Sequence, residues 1–253
     1  MFDFSGKTSV ITGGGSGIGQ AVANLFARQG AEVIILDVNE KGAGETVAAI
    51  RDSGGKGEFF RCDVSDQGNV NNLINDLPSL DILVNSAGVS HIGSLDTTSE
   101  ADFDRLFRIN VKGVYNTMQA SVRKMKESGG GVILNLCSVA ATVGIPDRFA
   151  YSMTKGAVLS MTLSVARDYL QHNIRCNCIS PGRVHTPFVD DFLKKNYPGQ
   201  EKEMFQKLSS AQPIGRMGTP AEMASLILFL CSDEAAFVTG TDYAIDGGFT
   251  HLK

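Results

Sequence analysis

Short aliphatic and β-branched runs alternate with longer segments of helical periodicity along the whole chain. The runs span residues 8–12, 32–37, 58–63, 81–85, 131–138, 174–180 and 242–246. Residues 33–36 are apolar at every position, which is typical of a strand that is buried on both faces of a parallel sheet. The repeated strand–helix order therefore predicts an α/β fold, in which helices cover both faces of a doubly wound, seven-stranded parallel sheet.

The domain organisation follows from the length and from the uniformity of the sequence. The chain has 253 residues and contains no linker, composition break or internal repeat. We therefore expect a single domain over residues 1–253, although this length could also hold two small ones. An eight-stranded βα barrel is the competing architecture, but it requires more strand–helix units than the chain contains.

Charge and cysteine content narrow the function classes. Lys and Arg number 23 against 27 Asp and Glu, a formal net charge of −4, so no nucleic-acid or membrane partner is expected. No apolar run approaches the ~20 residues of a membrane span, and the N-terminus does not resemble a signal peptide. The five cysteines include no C-x-x-C pair, which predicts buried free thiols, no metal site and a cytoplasmic protein.

A glycine-rich segment, Thr-Gly-Gly-Gly-Ser-Gly-Ile-Gly at residues 12–19, separates the first strand from the first helix. Glycines let a backbone approach a ligand closely, and the N-terminus of the helix that follows favours a pyrophosphate. A plain glycine turn is the alternative. The strand–loop–helix–strand context favours a Rossmann-type dinucleotide-binding loop over that alternative.

An acidic residue, Asp37, ends the second strand 18 residues after Gly19. A carboxylate at this position is placed to accept hydrogen bonds from an adenosine ribose, although a solvated carboxylate at a strand end is also possible. No Arg or Lys adjoins Asp37 or lies in the glycine loop, and a carboxylate repels a 2′-phosphate. The sequence therefore predicts NAD as the cofactor in preference to NADP.

Tyr151 and Lys155 are four residues apart in a segment of helical periodicity. This spacing places the phenol and the ammonium group on one face of the helix. A free phenol has a pKa of ~10 and is a weak acid–base catalyst near neutral pH, whereas a neighbouring cation stabilises the phenolate. The pair suits a general acid/base that acts on an alcohol or ketone, although a surface Tyr and Lys would show the same spacing.

Seven motifs in order resemble those of the short-chain dehydrogenase/reductase family, over essentially the whole chain. They are residues 12–19, Asp63-Val64, residues 85–88 (Asn-Ser-Ala-Gly), Asn110, Ser138, Tyr151 with Lys155, and Pro181-Gly182 with Thr186. Ser86 departs from the family pattern, which usually has a second Asn there.

The resemblance implies a set of catalytic residues, Asn110, Ser138, Tyr151 and Lys155. In this family Ser138 would bind the substrate oxygen, Tyr151 would exchange a proton with it, Lys155 would hold the nicotinamide ribose, and Asn110 would position a water. The cofactor-binding residues implied are Gly13, Ser16, Gly17, Ile18, Gly19, Asp37, Asp63, Val64, Asn85, Ala87, Gly88, Tyr151, Lys155, Pro181, Gly182, Val184 and Thr186. The family also implies a homotetramer and a small-molecule substrate.

The substrate must be sought in the loops at the carboxyl ends of the strands, because the shared motifs do not select it. Arg148 lies three residues before Tyr151, where a guanidinium could clamp a carboxylate, although a salt bridge at the rim is the alternative. With Ser138, Tyr151 and His91 it forms the candidate substrate set. Arg183 and His185 are further polar candidates. Residues 187–212 are expected to form a substrate lid.

A narrower resemblance favours an acid as substrate. Residues 138–151 and 174–178 are similar to cytosolic-type (R)-3-hydroxybutyrate dehydrogenases and to 2-keto-3-deoxy-L-fuconate dehydrogenases, which use an arginine before the catalytic Tyr for the substrate carboxylate. Arg183, in place of a small residue, departs from this group. A 3-oxoacyl-thioester reductase and another carbonyl or steroid reductase stay open as alternatives. A non-catalytic NAD-binding sensor is disfavoured, because Ser138, Tyr151 and Lys155 are all present.

Overall fold

Seven strands form one parallel sheet in the computed structural model, which describes residues 2–252 apart from the side chains of Phe188 and Asn196. The strands are β1 (Thr8–Thr12), β2 (Glu32–Asp37), β3 (Lys56–Arg61), β4 (Ile82–Asn85), β5 (Gly131–Leu136), β6 (Ile174–Pro181) and β7 (Asp242–Ile245). Their order in the sheet is β3-β2-β1-β4-β5-β6-β7, and every neighbouring pair is parallel. The predicted sheet is therefore confirmed.

Helices cover both faces of the sheet, as the alternation predicts. They are α1 (Gly17–Arg28), α2 (Glu40–Asp52), α3 (Gln67–Asn75), α4 (Glu100–Leu106), α5 (Gly113–Ser128), α6 (Phe149–Asp168), α7 (Pro187–Asn196), α8 (Glu201–Ser210) and α9 (Pro220–Cys231). Buried side chains of α1, α2 and α9 form the core on one face, and those of α3, α5 and α6 form the core on the other. No described helix is long and apolar enough to cross a membrane.

The strand order reverses beside β1, which lies between β2 and β4. In doubly wound folds the crevice at such a point, beyond the carboxyl ends of the strands, is where ligands bind. Thr12, the last residue of β1, accepts hydrogen bonds on its Oγ1 from the backbone N–H groups of Ser86 and Ala87 at 3.1 and 3.0 Å. Thr12 thereby ties the loop after β4 to the glycine loop at this crevice.

The helical segment after β4 differs from its predicted form. Its apolar spacing predicts one regular helix over about 101–127, but a π-helical turn at Phe107–Lys112 separates α4 from α5. Asn110 lies in this turn and is buried. π-helical turns often mark functional sites, and apolar periodicity does not reveal them, because the turn inserts only a local change of pitch.

All five cysteines are buried and none forms a disulfide, as predicted. Cys176 and Cys178 lie on β6. Cys231 lies at the end of α9, where burial raises the pKa of its thiol to about 12. A thiol in such a setting is inert at neutral pH. Among the described residues, no group of three or more His, Cys, Asp or Glu is arranged to hold a metal ion.

Candidate active site

Two adjoining cavities follow the carboxyl ends of the strands. The first is about 420 Å³ and lies beyond β1, β2 and β3, and the second is about 350 Å³ and lies beyond β4, β5 and β6. Both are lined by Ile18, Ser86, Gly88, Val89 and Thr186. The shared residues make the two cavities one continuous crevice, as an extended dinucleotide requires.

The glycine loop is shaped by close backbone approaches. Gly13 has φ +70°, and a Cβ there would lie 2.8 Å from the backbone nitrogen of Ala87. A Cβ at Gly19 would overlap the carbonyl oxygen of Gly13, so Gly19 packs under the loop and does not line the crevice. Ser16 makes no side-chain cap on α1, which leaves the first N–H groups of the helix available to a phosphate.

Asp37 lies at the rim of the first cavity with its carboxylate fixed in place. Its Oδ2 accepts from the backbone N–H of Gly15 at 2.8 Å, and its Oδ1 accepts from that of Asn39 at 2.9 Å. The sequence did not reveal Arg61, which lies beside Asp37 in the register of β2 and β3. The guanidinium of Arg61 pairs with Glu40 at 3.2 Å, and no described residue that lines this cavity is Arg or Lys.

Ten of the cofactor-binding residues that the family resemblance implies line this first cavity together. They are Gly13, Ser16, Gly17, Ile18, Asp37, Asp63, Val64, Ala87, Gly88 and Thr186. Asn85 is an exception, because its side chain is buried inside the fold. Its Nδ2 donates to Asn135 at 2.8 Å, and its Oδ1 accepts from Thr117 at 2.7 Å. Asn85 therefore joins β4 to β5 and α5, and it supports the crevice from below.

Ser138, Tyr151 and Lys155 line the second cavity together. Ser138 follows β5, and its Oγ accepts from the backbone N–H of Ala140 at 3.2 Å, which orients the hydroxyl group. Lys155 is buried; its Nζ donates to the carbonyl oxygen of Leu136 at 2.6 Å and lies 5.7 Å from the centre of the Tyr151 ring. The helix spacing and the end of β5 thus bring a hydroxyl, a phenol and an ammonium group to one place.

Asn110 lies behind this cavity and does not line it. Its Oδ1 accepts from the backbone N–H of Val89 at 2.8 Å, and its Nδ2 donates to the Val89 carbonyl at 2.8 Å and to Thr154 Oγ1 at 3.2 Å. The side chain therefore fastens the loop after β4 to α6. The water-positioning role expected for Asn110 stays a prediction.

Arg148 precedes α6, and its side chain lines the cavity beside Tyr151. Its Nη1 donates to the carbonyl oxygens of His91 and Asp147 at 3.4 and 3.2 Å. Burial lowers the pKa of Arg148, and the neighbouring Tyr151 and Asp147 partly offset this effect. No described residue that lines the cavity is Asp or Glu, so the acidic neighbour of Arg148, Asp147, lies outside the cavity lining.

His91, the other candidate substrate residue, is not among the described residues that line the cavity. Its ring nitrogen Nδ1 lies 3.7 Å from Asp102, and its Nε2 is buried against Gly93 without a described partner. The structure connects His91 to the site through its backbone carbonyl, which anchors Arg148. Sequence position alone placed the imidazole near the crevice but could not show which way it points.

Pro181, Gly182, Val184 and Thr186 line the second cavity from the turn after β6, where the nicotinamide end is expected. The expected lid at residues 187–212 consists of α7 and α8, which share a small apolar cluster. The side chains of Phe188 and Asn196, in this segment, are not among those that the structure describes. His185, at the base of this segment, contacts Asp190 through Nε2 at 2.9 Å and packs on Phe205.

Further lining residues were not among the predicted catalytic, cofactor or substrate residues. They include Ser90, Cys137 and Phe249, together with Val189 and Gln212 of the predicted lid. Cys137 directly precedes Ser138, so its position follows from the motif. Phe249 comes from a distant part of the chain and carries no motif, so only tertiary packing brings it to the cavity.

Comparison with known proteins finds relatives over nearly the whole chain. A family profile described as Enoyl-(Acyl carrier protein) reductase matches residues 13–250. The chain is 37% identical to 2-keto-3-deoxy-L-fuconate dehydrogenase of Xanthomonas campestris pv. campestris over 97% of this chain and 81% of the relative. It is 36% identical to cyclopentanol dehydrogenase of Comamonas sp. over 96% and 97% of the two chains.

The fold likeness extends to solved structures. A short-chain type dehydrogenase/reductase from Mycobacterium marinum matches with a TM-score of 0.90 and 33% identity, over 99% of this chain and 98% of that one. The chain therefore belongs to the short-chain dehydrogenase/reductase family, as an oxidoreductase that acts on alcohol groups with a nicotinamide cofactor.

Proposed function

We propose that the protein is an NAD-dependent dehydrogenase that oxidises the secondary alcohol of a small hydroxy acid or sugar acid, or reduces the matching ketone. The observation that carries this proposal is Arg148, which lines the cavity beside Tyr151, while no described residue of that lining is Asp or Glu. A guanidinium fork matches a carboxylate through two parallel hydrogen bonds.

The chain's own residues have separable tasks in this reaction. A bound NAD would supply the acceptor for the hydride that leaves the substrate carbon. Ser138 and Tyr151 hold the substrate oxygen, and Tyr151 takes its proton during oxidation and returns it during reduction. Lys155 places its ammonium group 5.7 Å from the centre of the Tyr151 ring, beside the residue that exchanges the proton. Arg148 orients the substrate through its carboxylate, so that the alcohol carbon faces the crevice.

A preference of the enzyme for acid substrates must come from charges inside the cavity. The formal net charge of −4 gives the protein no general attraction to anions. Arg148 supplies a cation at one point of the cavity, and Lys155 supplies another. The 2-keto-3-deoxy-L-fuconate enzyme supports an acid substrate by analogy, whereas the cyclopentanol enzyme shows that the family also takes neutral alcohols.

A substrate panel tests the proposed substrate class. Wild-type protein with NAD is offered hydroxy acids and sugar acids beside cyclic and aliphatic neutral alcohols, and NADH formation is followed by absorbance. We expect turnover of at least one acid at a higher kcat/KM than any neutral alcohol of similar size. Turnover confined to neutral alcohols would contradict the proposal.

The cofactor preference rests on the Asp37 carboxylate. Because a second negative charge at the ribose 2′ position would meet Asp37 with no described Arg or Lys lining that cavity, we expect a higher kcat/KM with NAD than with NADP. Asp37→Ala should narrow the difference between the two cofactors. Asp52→Ala, which removes an exposed carboxylate at the end of α2, serves as the charge-matched control. A preference of the wild type for NADP would refute this part.

Two alternatives are less well supported. A 3-oxoacyl-thioester reductase agrees with the acyl-carrier-protein description of the matching profile, but Asp37 disfavours the NADPH that we would expect such a reductase to use. A cofactor-binding sensor without turnover would not need Ser138, Tyr151 and Lys155 in one cavity. We also propose a cytoplasmic location, in keeping with five buried thiols.

We further propose a homotetramer, because α5 and α6 leave an apolar groove uncovered. The groove is about 530 Å³, and its lining includes Tyr115, Met118, Val122, Met161 and Val165. Light scattering should report about four times the 27.0 kDa of one chain, and Met161→Lys should shift the population to smaller species. A wild-type monomer at micromolar concentration would contradict this proposal.

A further inference from the structure

Arg183 is a second guanidinium in the catalytic cavity, and the proposed function gives it no role. It follows Pro181-Gly182 in the turn after β6 and lines the same cavity as Arg148. Its Nε is buried and donates a hydrogen bond to no described residue. A charged donor that is buried without a partner is costly, so this arrangement indicates that a ligand supplies the acceptor.

Arg175 is a partly buried arginine whose hydrogen bonds stabilise the fold, and it can be compared with Arg183. Its Nη1 donates to the carbonyl oxygens of Leu230 and Val238 at 2.9 and 3.0 Å, and its Nη2 donates to that of Ser232 at 2.9 Å. Burial lowers the pKa of Arg183 as it does for Arg175, yet the buried Nε of Arg183 has no comparable acceptor among the described residues. Arg183 therefore lacks the contacts of a structural arginine.

The backbone of Arg183 is held on both sides. Its N–H faces Gln212 Oε1 at 3.4 Å, and its carbonyl oxygen accepts from the N–H of Gly218 at 2.9 Å. A Cβ at Gly182 would lie 2.6 Å from the same Gln212 oxygen, so the turn is closely packed. This packing fixes the point from which the Arg183 side chain enters the cavity.

The charge that acts on Arg183 is another cation. After burial, repulsion by Arg148 is the second cause that lowers the pKa of Arg183. Lys155 adds a third positive charge to the cavity wall, and no described lining residue is Asp or Glu. Three cations around one space of about 350 Å³ are stabilised when anionic groups enter it.

We propose that Arg183 binds a second carboxylate, and that the substrate is a small dicarboxylic acid with a secondary hydroxyl or keto group between its ends. This inference rests on the proposed function, in which Arg148 holds one carboxylate. The two guanidiniums enter from different elements, Arg148 from the loop before α6 and Arg183 from the turn after β6. One planar carboxylate for each fork pairs both guanidiniums, whereas a monocarboxylate leaves one partly buried guanidinium unpaired.

Matched substrate pairs test the second carboxylate. Malate is 3-hydroxybutyrate with its methyl group replaced by a carboxylate, and 3-hydroxyglutarate is related to 3-hydroxypentanoate in the same way. With NAD, we expect the wild type to show at least about 10-fold higher kcat/KM for one of the diacids than for its monoacid partner. In Arg183→Met, which keeps the length and loses the charge, this ratio should fall by about 30-fold or more.

Binding measurements and control variants separate the possible outcomes. Succinate and glutarate should inhibit the wild type more strongly than butyrate, and Arg183→Met should remove that difference. Arg183→Lys, which keeps the charge without the fork, should show a smaller fall in the ratio and serves if Arg183→Met does not fold. Arg167→Met removes an exposed arginine of α6 outside the cavity and should leave the ratio unchanged.

Three results would overturn the second-carboxylate proposal while the proposed function stands. They are a wild-type preference for the monoacids, an equal loss on monoacids and diacids in Arg183→Met, and a rise in the NADH Kd of that variant that matches its loss of activity. The last result would assign Arg183 to the cofactor. If no acid of either class is turned over while neutral alcohols are, the proposed function itself fails.

Discussion

Replacing Tyr151 by Phe should lower kcat by about 100- to 10,000-fold, the range that a positioned acid–base group contributes. The substitution removes one oxygen and keeps the ring, whose centre lies 5.7 Å from Lys155 Nζ. NADH binding should therefore change little, which titration of NADH fluorescence measures. Retention of more than a few per cent of the wild-type activity would contradict the proton-transfer role of Tyr151.

Lys155→Ala is the informative companion to that variant. Lys155 is buried, donates to the Leu136 carbonyl at 2.6 Å, and is the residue expected to hold the nicotinamide ribose. Its loss should therefore raise the NADH Kd and lower kcat together. Thermal unfolding of both variants checks that the fold persists, because Lys155→Ala also leaves the Leu136 carbonyl without its partner.

Arg148→Ala should lower kcat/KM for an acid substrate by about 30- to 1000-fold. This range corresponds to about 2–4 kcal/mol, which is typical when one partner of a desolvated, charge-assisted pair is truncated. The loss should appear in kcat/KM because Arg148 both binds and orients the acid. Arg167→Ala on the exposed side of α6 is the matched control and should behave as the wild type.

The sheet was predictable because its inner strands are buried on both faces. Residues 33–36 are buried at every position, so their apolar run carries the signal without any knowledge of neighbours. The edge strand β3 was less clear: the prediction was 58–63, and the strand is Lys56–Arg61, with exposed polar residues at both ends. Asp63 lies beyond the end of the strand and lines the crevice. Its carboxylate therefore belongs to the candidate site and not to the strand.

The candidate site was predictable where its chemistry is local. Tyr151 and Lys155 share a helix face, and the glycine loop joins β1 to α1, so short spacings identify both. The direction in which a loop side chain points is not local. His91 and Arg148 are far apart in sequence, and only the folded loops turn the His91 ring away and bring its carbonyl to Arg148.

Register and burial supplied what the spacings could not. Arg61 lies beside Asp37 only because β2 and β3 pair in that register. The guanidinium of Arg61 forms an ion pair with Glu40. Arg183 was noted in the sequence as a departure from similar enzymes. Its unpartnered Nε and its proximity to Arg148 became visible only in three dimensions.

Recognition of a carboxylate by Arg148 can be measured as one ratio of kcat/KM values. The kcat/KM of wild type and of Arg148→Ala is measured with NAD on the best acid from the panel and on its uncharged amide. We expect kcat/KM of Arg148→Ala to fall by about 30- to 1000-fold on the acid and much less on the amide, so that the acid-to-amide ratio falls steeply. Equal losses on the two compounds would show that Arg148 does not recognise the carboxylate, and would leave a dehydrogenase whose substrate is not selected by charge.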